Sequence, residues 1–437
     1  MRASAFVYPW DVVGDPDAPR RLADLGIQQV TLASAYHSTR ALTPRHPRHR
    51  IVTAQHSAVL YPPDPLRWSG RELRPYEQRW VTSDDPGGPY AEAAGALSAA
   101  GLEVHSWVVL AHNSRLGEDF GHVTVRNAHG DRYPWAPCIA RPQVREYAVT
   151  LAAEAAVRPY TRGTELESCG WYGFAHLHAH DKTAGVPLGG AAGYLMSLCF
   201  CETCEDGYAT LGADPQELRE TVRRAMRPVW SGGTLTGSAG APGGAPGRDA
   251  EWEEVCGLLG EETAGVFAAW RGSAARRLRR EAVAAVRAEA ARNGQDAGGT
   301  GTGSGAAAGA ARGFRVLLHA DPAPHRVGAN AGADPSEAVE DADGVVLSCA
   351  GGTAERADVL GPFSRRTDRR PGPFTVAANL PVVRGMGGSP RTLATDAGHA
   401  RELGADELRL YHAGLASDSD LAAVREGLRV LGSRPPG

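Results

Sequence analysis

Short apolar runs alternate with helical patterns along most of the chain. Each run is four to eight residues long, the usual length of a buried strand, and ends at glycine, proline or polar residues. We predict eight strands: Ser4–Tyr8, Gln28–Leu32, Glu103–Leu110, Thr164–Glu167, Phe314–His319, Gly344–Cys349, Phe374–Ala378 and Glu407–Tyr411.

Apolar residues between these runs recur at helical spacing. The predicted helices are Ala18–Leu25, Tyr90–Ala100, Pro142–Ala156, Gly260–Arg292, Arg391–Leu403 and Asp420–Leu431. Eight strand–helix units favour an α/β fold of the (β/α)8 TIM barrel type over an open doubly wound sheet, and no G-x-G-x-x-G motif follows the first strand. We predict a single barrel domain over residues 1–437.

Two connections are longer than a barrel needs. One follows the second strand from about Ala35 to Tyr90. The other, a predicted inserted subdomain over residues 169–313, follows the fourth strand and contains the tracts 231–248 and 293–313, which are rich in Gly, Ala, Ser and Thr. Such composition is typical of flexible segments that carry no chemistry.

Composition and charge narrow the functional classes. The 437 residues are 42% hydrophobic with a formal net charge of -4, which suits a soluble globular protein and gives no electrostatic footprint for nucleic acid or an anionic membrane. The basic run Arg276–Arg280 is expected to be a solvated helix face. Neither a signal peptide nor a membrane span is predicted, so we expect a cytoplasmic protein. Homo-oligomerisation is left open.

Polar residues follow most of the predicted strands. Because the carboxyl ends of barrel strands meet at one mouth, they are candidates for binding a substrate. The set comprises Trp10, Asp11, Tyr36, His37, His112, Asn113, Trp171, His319, Asn379, Tyr411 and His412. By the same rule Glu103, Asp343 and Glu407, at strand starts, are assigned to stability.

Carboxylates at the end of the fourth strand are the candidate catalytic groups. Glu165 and Glu167 alternate with Leu166 and so face the same side. Carboxylates and aromatic residues without a phosphate loop favour a carbohydrate or another small polyol, and glycoside hydrolysis needs two carboxyl groups. We predict Glu167 as the acid and Asp321 as its partner, with Asp11 as the second choice for that partner. Glu165 is expected to keep Glu167 protonated by like-charge repulsion.

Three cysteines form a C-x-C-x-x-C motif at Cys199, Cys201 and Cys204. Three thiolates this close can fill three corners of a tetrahedral zinc site, and a fourth ligand must come from elsewhere. Cys138 is the first choice for that ligand, Cys169 the second and one of His176, His178 or His180 the third. With four sulfur ligands the zinc would be structural, whereas the alternative is a set of buried, inert thiols.

These motifs resemble those of a known family. A C-x-C-x-x-C motif after a strand-four glutamate, with a lone cysteine upstream, looks like the zinc cluster of the family 42 β-galactosidases and related barrel glycoside hydrolases. The stretch Pro137–Tyr147 is similar to a C-P-x-x-P-x-V-R-x-Y segment of glycosidase-like barrels, and the whole chain resembles actinobacterial proteins described as alanine-rich. The resemblance implies that Glu167 is the strand-four acid/base and that Cys138, Cys199, Cys201 and Cys204 bind zinc.

The chain also departs from that family. The family places asparagine before the strand-four glutamate, where this chain has Leu166, and a nucleophilic glutamate on strand seven, which here ends at Asn379. Either the second carboxylate lies on another strand, with Asp321 and inversion as the first choice, or the barrel has taken on different chemistry.

Two other functions stay open. The first is a metal-dependent barrel hydrolase, isomerase or aldolase, whose metal ligands would come from the histidines His37, His112, His176, His178, His180, His319 and His412. The second is a non-catalytic carbohydrate-binding barrel, which the missing strand-seven carboxylate favours. Its stacking platform would be Trp10, Trp107, Trp171 and Tyr411.

Overall fold

Eight parallel strands close into a barrel in the structure, a computed structural model that describes residues 1–177, 181–186, 188–233, 247–294, 313–364 and 372–433. The barrel strands are β1 (Arg2–Val7), β2 (Gln29–Tyr36), β3 (Glu103–Val109), β4 (Thr161–Glu167), β5 (Arg315–Asp321), β6 (Gly344–Ser348), β7 (Thr375–Pro381) and β8 (Glu407–Tyr411). Because β8 pairs with β1 and every neighbouring pair is parallel, the predicted TIM barrel is confirmed, and each predicted strand overlaps one barrel strand.

Helices connect the strands. In chain order they are α1 (Ala18–Ala23), α2 (Gly88–Ala99), α3 (Ser114–Asp119), α4 (Pro142–Ala156), α5 (Gly190–Met196), α6 (Glu202–Thr210), α7 (Pro215–Trp230), α8 (Arg248–Leu259), α9 (Glu261–Arg292), α10 (Pro335–Asp341), α11 (Thr353–Ser364), α12 (Leu393–Glu402) and α13 (Asp418–Ser433). The predicted helices match α1, α2, α4, α9, α12 and α13 within a few residues. None of the described helices is long and apolar enough to cross a membrane.

The described part of the long connection between β4 and β5 contains five helices, α5 to α9. The longest, α9, packs along α4 on the outside of the barrel and buries Phe267, Leu278, Val283 and Val286. Most of both low-complexity tracts, residues 234–246 and 295–312, falls outside the described residues.

The basic run of α9 is not a simple solvated face. Arg279 is buried and donates to Glu337 of α10 at 2.8 Å, while Arg276 donates to Glu340 of the same helix at 2.7 Å. The run faces an acidic helix, so the expectation from sequence is corrected here. Ion pairing within the chain accounts for these charges.

Strand-start residues form the opposite end of the barrel. Arg315 pairs with Glu407 at 3.0 Å, and Arg2 pairs with Glu103 at 2.8 Å. Each pair links two strands that are not adjacent in the barrel, and such links support the stabilising role predicted for these glutamates. Above them, Leu317, Val346 and Ala377 pack together inside the barrel.

Two short hairpins flank the barrel among the described residues, and neither was predicted from the sequence. One pairs Thr39–Leu42 with Ile51–Ala54 in the connection after β2. The other pairs Thr124–Arg126 with Arg132–Pro137 between β3 and α4. Their alternation is too short and too polar to stand out as strands. The second hairpin matters for the cysteines, because Cys138 follows it directly.

Candidate active site at the barrel mouth

Glu167, the last residue of β4, lies at the centre of the barrel mouth. Its Oε2 accepts a hydrogen bond from Trp107 Nε1 at 2.8 Å, and Nδ1 of His319 lies 4.0 Å from the same oxygen. The residue is 7% exposed. β3, β4 and β5 are adjacent, so three neighbouring strands direct polar side chains to one point, as strand alternation predicts.

Tyrosines surround this carboxylate. Tyr8 and Tyr36 meet edge to face with ring centroids 4.9 Å apart, and Tyr411 lies edge-on to Phe6 at 5.5 Å. Burial, with Glu167 as the next cause, raises the pKa of Tyr411 to about 12, and burial also raises the pKa values of Tyr8 and Tyr36. The phenols are therefore neutral at physiological pH and can donate hydrogen bonds to a ligand.

Imidazoles form the next part of the mouth. His112 stacks on Tyr172 with centroids 4.1 Å apart, and the rings of His37 and His176 lie 4.9 Å and 5.7 Å from it. Burial lowers the pKa values of His37 and His112, so both rings are neutral hydrogen-bonding groups.

The histidine-metal hypothesis gains no support from these rings. Within the described ranges, the one His/Cys/Asp/Glu group compact enough to hold a metal consists of cysteines. His178 and His180 lie outside the described residues.

Glu165 lies deeper in the barrel and does not reach the mouth. Its Oε1 accepts hydrogen bonds from Arg409 Nε at 2.5 Å and from Thr31 Oγ1 at 3.2 Å, and the side chain is fully buried. Burial alone would raise the pKa of Glu165, but Arg409, together with His319 and His105, lowers it to about 2. Its charge is compensated by Arg409, so this placement does not support the expected role of repelling a proton onto Glu167.

Asp321, the predicted partner carboxylate, is held by the insertion. Both of its oxygens accept from Arg248 of α8, at 2.8 Å from Nε and 2.7 Å from Nη2, and Oδ1 also accepts from the backbone of Ala323 at 3.0 Å. A bidentate arginine pair of this kind fixes a carboxylate and neutralises it. The geometry therefore assigns Asp321 to the junction between β5 and the insertion and offers no free second carboxylate there.

Three predicted substrate-binding residues, Trp10, Asp11 and His412, contact Tyr8. Trp10 is fully buried and stacks on Tyr8 with centroids 4.3 Å apart. His412 is fully buried on the same tyrosine at 4.3 Å, and burial lowers its pKa to about 3. Asp11 accepts from the backbone N–H of Tyr8 at 2.8 Å, and burial raises its pKa to about 7. These three residues position Tyr8.

Two further predicted residues pack away from the mouth. Asn113 caps α3, where its Oδ1 accepts from the backbone N–H of Leu116 at 3.0 Å. Trp171 donates from Nε1 to the carbonyl of Arg271 at 3.0 Å and lies under that guanidinium within the insertion. Position after a strand therefore does not show whether a residue lines the mouth, caps a helix as Asn113 does, or packs in the insertion as Trp171 does.

Asn379 lies on the inner face of β7. It lies on the same side of β7 as Ala377, which packs inside the barrel, and its Oδ1 is buried with no hydrogen-bond partner among the described residues. A buried acceptor without a donor costs free energy unless a ligand or water satisfies it. Asn379 therefore offers a buried amide, and not a carboxylate, on the inner face of β7.

Two residues at the mouth, Tyr172 and Asp181, were not predicted from the sequence, and His176 was predicted only as a metal ligand. Tyr172 and His176 lie in the loop after β4, and burial followed by the charges of Glu167 and Asp181 raises the pKa of Tyr172. Asp181 is thus a second carboxylate near Tyr172, with its Oδ2 accepting from the backbone of Leu177 at 2.9 Å. The aromatic residues and histidines that follow β4 in the sequence could have indicated that this loop contributes to the mouth.

The four predicted metal ligands come together in the structure. Cys138 Sγ lies 3.6 Å from that of Cys204 and 3.7 Å from those of Cys199 and Cys201, and all four thiols are buried within 4.8 Å of one another. A tetrahedral site with metal–sulfur bonds of about 2.3 Å has sulfur–sulfur edges of about 3.8 Å. The donor set and the spacing therefore fit a metal, and the cluster could hold one.

Of the alternative fourth ligands, Cys169 and His176 lie within the described residues, and both are away from this group. Cys169 is outside this group, and burial raises its pKa to about 12, as expected of a packed thiol. His176 lies at the mouth beside Tyr172, where its Nε2 is 3.3 Å from the phenol oxygen. The first choice from the sequence, Cys138, is the residue that meets the C-x-C-x-x-C motif.

Comparison with known proteins finds similarity in structure alone. No protein-family model and no curated protein matches the chain. Among solved structures, it is similar to the PgaB (BpsB) glycoside hydrolase domain from Bordetella bronchiseptica, with a TM-score of 0.53, 14% identity and 98% of each chain covered.

Two further structures are longer than this chain. The α-L-fucosidase isoenzyme 2 from Paenibacillus thiaminolyticus matches with a TM-score of 0.52 and 11% identity over 98% of this chain and 49% of its own. Gan42B, a GH42 β-galactosidase from G. stearothermophilus, matches with a TM-score of 0.50 and 11% identity over 99% of this chain and 56% of its own. At these identities the likeness to barrel glycoside hydrolases is one of fold.

Proposed function

We propose that this chain is a glycoside-hydrolase-like enzyme that acts on a carbohydrate at the barrel mouth, with Glu167 as its catalytic carboxylate. The observation that carries the proposal is the position of Glu167 at the carboxyl end of β4, held by Trp107 and surrounded by neutral phenols and imidazoles. Aromatic faces suit the apolar side of a sugar ring, and neutral donors and acceptors suit its hydroxyls. The shared fold of the glycoside hydrolase structures supports this choice.

The second carboxyl group in this proposal is Asp181. Asp321 is held by Arg248. The negative charges of Glu167 and Asp181, in contrast, both contribute to the raised pKa of Tyr172. A pair of carboxyl groups on either side of a sugar would supply the acid and base that hydrolysis needs. The cytoplasmic location predicted from the sequence is part of the same proposal.

The metal in this proposal is a structural zinc bound by Cys138, Cys199, Cys201 and Cys204. Four buried thiols at tetrahedral spacing leave no ligand position for substrate, which is the arrangement of a closed zinc site. The zinc would link the hairpin before Cys138 to the amino end of α6, where Cys201 is the cap residue. It would take no part in the chemistry.

A glycoside screen tests the catalytic assignment. Wild type, Glu167→Gln and the control Glu118→Gln, on the exposed surface of α3, would be assayed with aryl glycosides and oligosaccharides. We expect hydrolysis by wild type and the control, and a loss of about 10²–10⁴-fold in Glu167→Gln, the usual contribution of a positioned acid or base. Full activity in Glu167→Gln would overturn the assignment. Sugar binding without turnover in wild type would favour the non-catalytic barrel.

A further inference from the structure

A second cavity lies between the insertion and α11, and its lining shares no residue with the barrel mouth. It has a volume of about 1000 Å³ and is lined from α5, α8, α9, α11 and the loop after β5, by residues that include Tyr194, Arg248, Trp252, Arg271, His325 and Asp358. Since ligand pockets in proteins usually hold about 300–1000 Å³, this cavity has room for a ligand with more than one ring.

Two arginines line the cavity, and they differ in what they bind. Arg248 uses its Nε and Nη2 to hold both oxygens of Asp321, at 2.8 Å and 2.7 Å. Arg271 donates from Nη1 to the carbonyl of Ser197 at 2.8 Å, while its Nε and Nη2 have no hydrogen-bond partner within the described part of the chain. The edge that holds a carboxylate in Arg248 therefore has no acceptor in Arg271.

Burial makes this unsatisfied edge of Arg271 costly. The residue is 3% exposed, and its guanidinium carbon lies 4.8 Å and 5.0 Å from the ring centroids of Trp171 and Tyr194. Cation–π attraction to these rings offsets part of the cost of burying the charge, but it leaves the Nε and Nη2 donors unsatisfied. Because Arg271 lines the cavity, a ligand carboxylate there could satisfy both donors and compensate the charge.

An indole forms one wall of the cavity. Trp252 of α8 is half-buried, and His325 stacks on it with ring centroids 5.8 Å apart. His325 is held in turn by Glu251, whose Oε2 lies 3.1 Å from its Nε2, and Arg326 donates to the other oxygen of Glu251 at 2.7 Å. Trp252 is thus backed by a fixed imidazole and offers a ring against which the apolar face of a sugar can pack.

Acidic side chains occupy the exposed rim of the cavity. Asp249, Glu253 and Asp358 line it, and all three are exposed. Water and salt screen exposed carboxylates, so they repel an anion only weakly, and they accept hydrogen bonds from hydroxyl groups. The lining therefore favours a ligand that combines one carboxylate with a ring and several hydroxyls.

We propose that this cavity is a binding site for a sugar acid, a pyranose that carries a carboxylate. The carboxylate binds the Nε–Nη2 edge of Arg271, the ring packs on Trp252, and the hydroxyls donate to the rim carboxylates. A neutral sugar fits less well, since hydroxyl oxygens leave the buried charge of Arg271 uncompensated. The site is separate from Glu167 and does not rest on the function proposed for the mouth.

Ligand binding in solution tests the proposal. Saturation-transfer difference nuclear magnetic resonance would measure the dissociation constants of glucuronate and galacturonate for the full chain, with glucose and galactose as the matched neutral probes. We expect both acids to bind and the neutral sugars to bind about tenfold more weakly or less, because they lack the charge-assisted hydrogen bonds to Arg271. Failure of both acids to bind, or equal binding of acids and neutral sugars, would overturn the proposal.

Variants locate the bound acid. Arg271→Gln should weaken glucuronate binding by about tenfold or more, and Trp252→Ala should weaken it through the lost ring contact. Trp230→Ala, at an exposed tryptophan of α7 that does not line the cavity, is the matched control and should bind as wild type does. Unchanged binding in folded Trp252→Ala would contradict the site.

A mouth variant separates this cavity from the proposed active site. Glu167→Gln should bind glucuronate as wild type does, and binding that falls in Glu167→Gln but persists in Trp252→Ala would place the acid at the mouth and overturn the proposal. Because Arg271 is buried and its loss can unfold the protein, each variant is compared with wild type by circular dichroism, and Trp252→Ala provides the independent arm. A failed glycoside screen would leave acid binding unchanged, so the two proposals fail separately.

Discussion

Arg409 crosses the barrel interior with no exposed surface and joins two carboxylates. Its Nε donates to Glu165 at 2.5 Å and its Nη1 to Glu407 at 2.9 Å. A buried charge that loses its partner is strongly destabilising, whereas the intact pair contributes little net stability. Arg409 is therefore needed for stability mainly because it compensates the charges of Glu165 and Glu407.

Replacing Arg409 by methionine should destabilise the protein by about 3–5 kcal/mol at pH 7, because Glu165 stays buried and loses its hydrogen-bonded cation. The pKa of Glu165 is lowered in the folded state, so its stabilising contribution is present above its ordinary value of 4.5 and is lost as the pH falls toward 2. The deficit of Arg409→Met should accordingly shrink between pH 5 and pH 3. Urea unfolding at pH 7, 5 and 3.5 measures it.

Arg429→Met is the matched control for that experiment. Arg429 lies on the exposed face of α13, where it pairs with Glu426 three residues earlier. We expect no measurable change in unfolding. A deficit in Arg409→Met that stays constant with pH would show that lost packing, and not the buried anion, dominates.

At the residue scale the sequence predicts which side chains face inward but not what they meet. Alternation along β4 correctly puts Glu165 and Glu167 on one side. The partner of Glu165 is Arg409, 244 residues away, and its identity depends on how eight strands close. Asp321 shows the same limit, since its partner Arg248 comes from a helix in the insertion.

At the element scale the cysteine site joins pieces of chain that share no sheet. Cys138 follows the hairpin of Thr124–Arg126 and Arg132–Pro137, Cys199 precedes α6, and Cys201 caps it. The backbone also links these pieces, because Phe200 N–H donates to Arg126 at 2.7 Å. A metal here would hold the start of the insertion against the barrel.

Elemental analysis of the purified protein should find about one equivalent of zinc. Cys201→Ser should lose it, since three thiolates bind a structural metal far more weakly than four. Cys169→Ser is the matched control, being a buried cysteine outside the cluster, and His112→Ala, at the mouth, should also keep the metal. Metal that survives Cys201→Ser but is lost in His112→Ala would instead favour a histidine-bound catalytic metal.

Short-range spacing explains why this site could be predicted. Three of its ligands lie within six residues, so their proximity needs no knowledge of the fold. The two hairpins were missed because paired strands of three to six residues, such as Thr124–Arg126 and Arg132–Pro137, have little periodicity to detect. Tertiary context, not local pattern, stabilises them.

At the scale of the whole molecule, the count of strand–helix units predicted the barrel. Eight apolar runs separated by helices fit a parallel sheet, and eight such units favour a closed barrel over an open doubly wound sheet. The inserted subdomain over residues 169–313 stays a prediction, because α9 both belongs to the insertion and packs along α4 of the barrel. An unfolding experiment can show whether the insertion and the barrel are separate cooperative units.

We expect the insertion and the barrel to unfold together. Leu278 of α9 is fully buried, Arg145 of α4 donates to Glu281 at 3.1 Å, and Arg287 pairs with Asp343 at the start of β6 at 2.9 Å. Leu278→Ala should cost about 2–5 kcal/mol through lost burial and a residual cavity.

Because α9 packs against both the insertion and the barrel, Leu278→Ala should lower the free energy of unfolding of both parts. Urea unfolding followed by circular dichroism and by tryptophan fluorescence should then show one coincident transition. Leu211→Ala, at an exposed leucine after α6, should change neither curve. Two separated transitions, with Leu278→Ala moving the first alone, would instead mean that α9 belongs to an autonomous insertion and that the barrel closes without it.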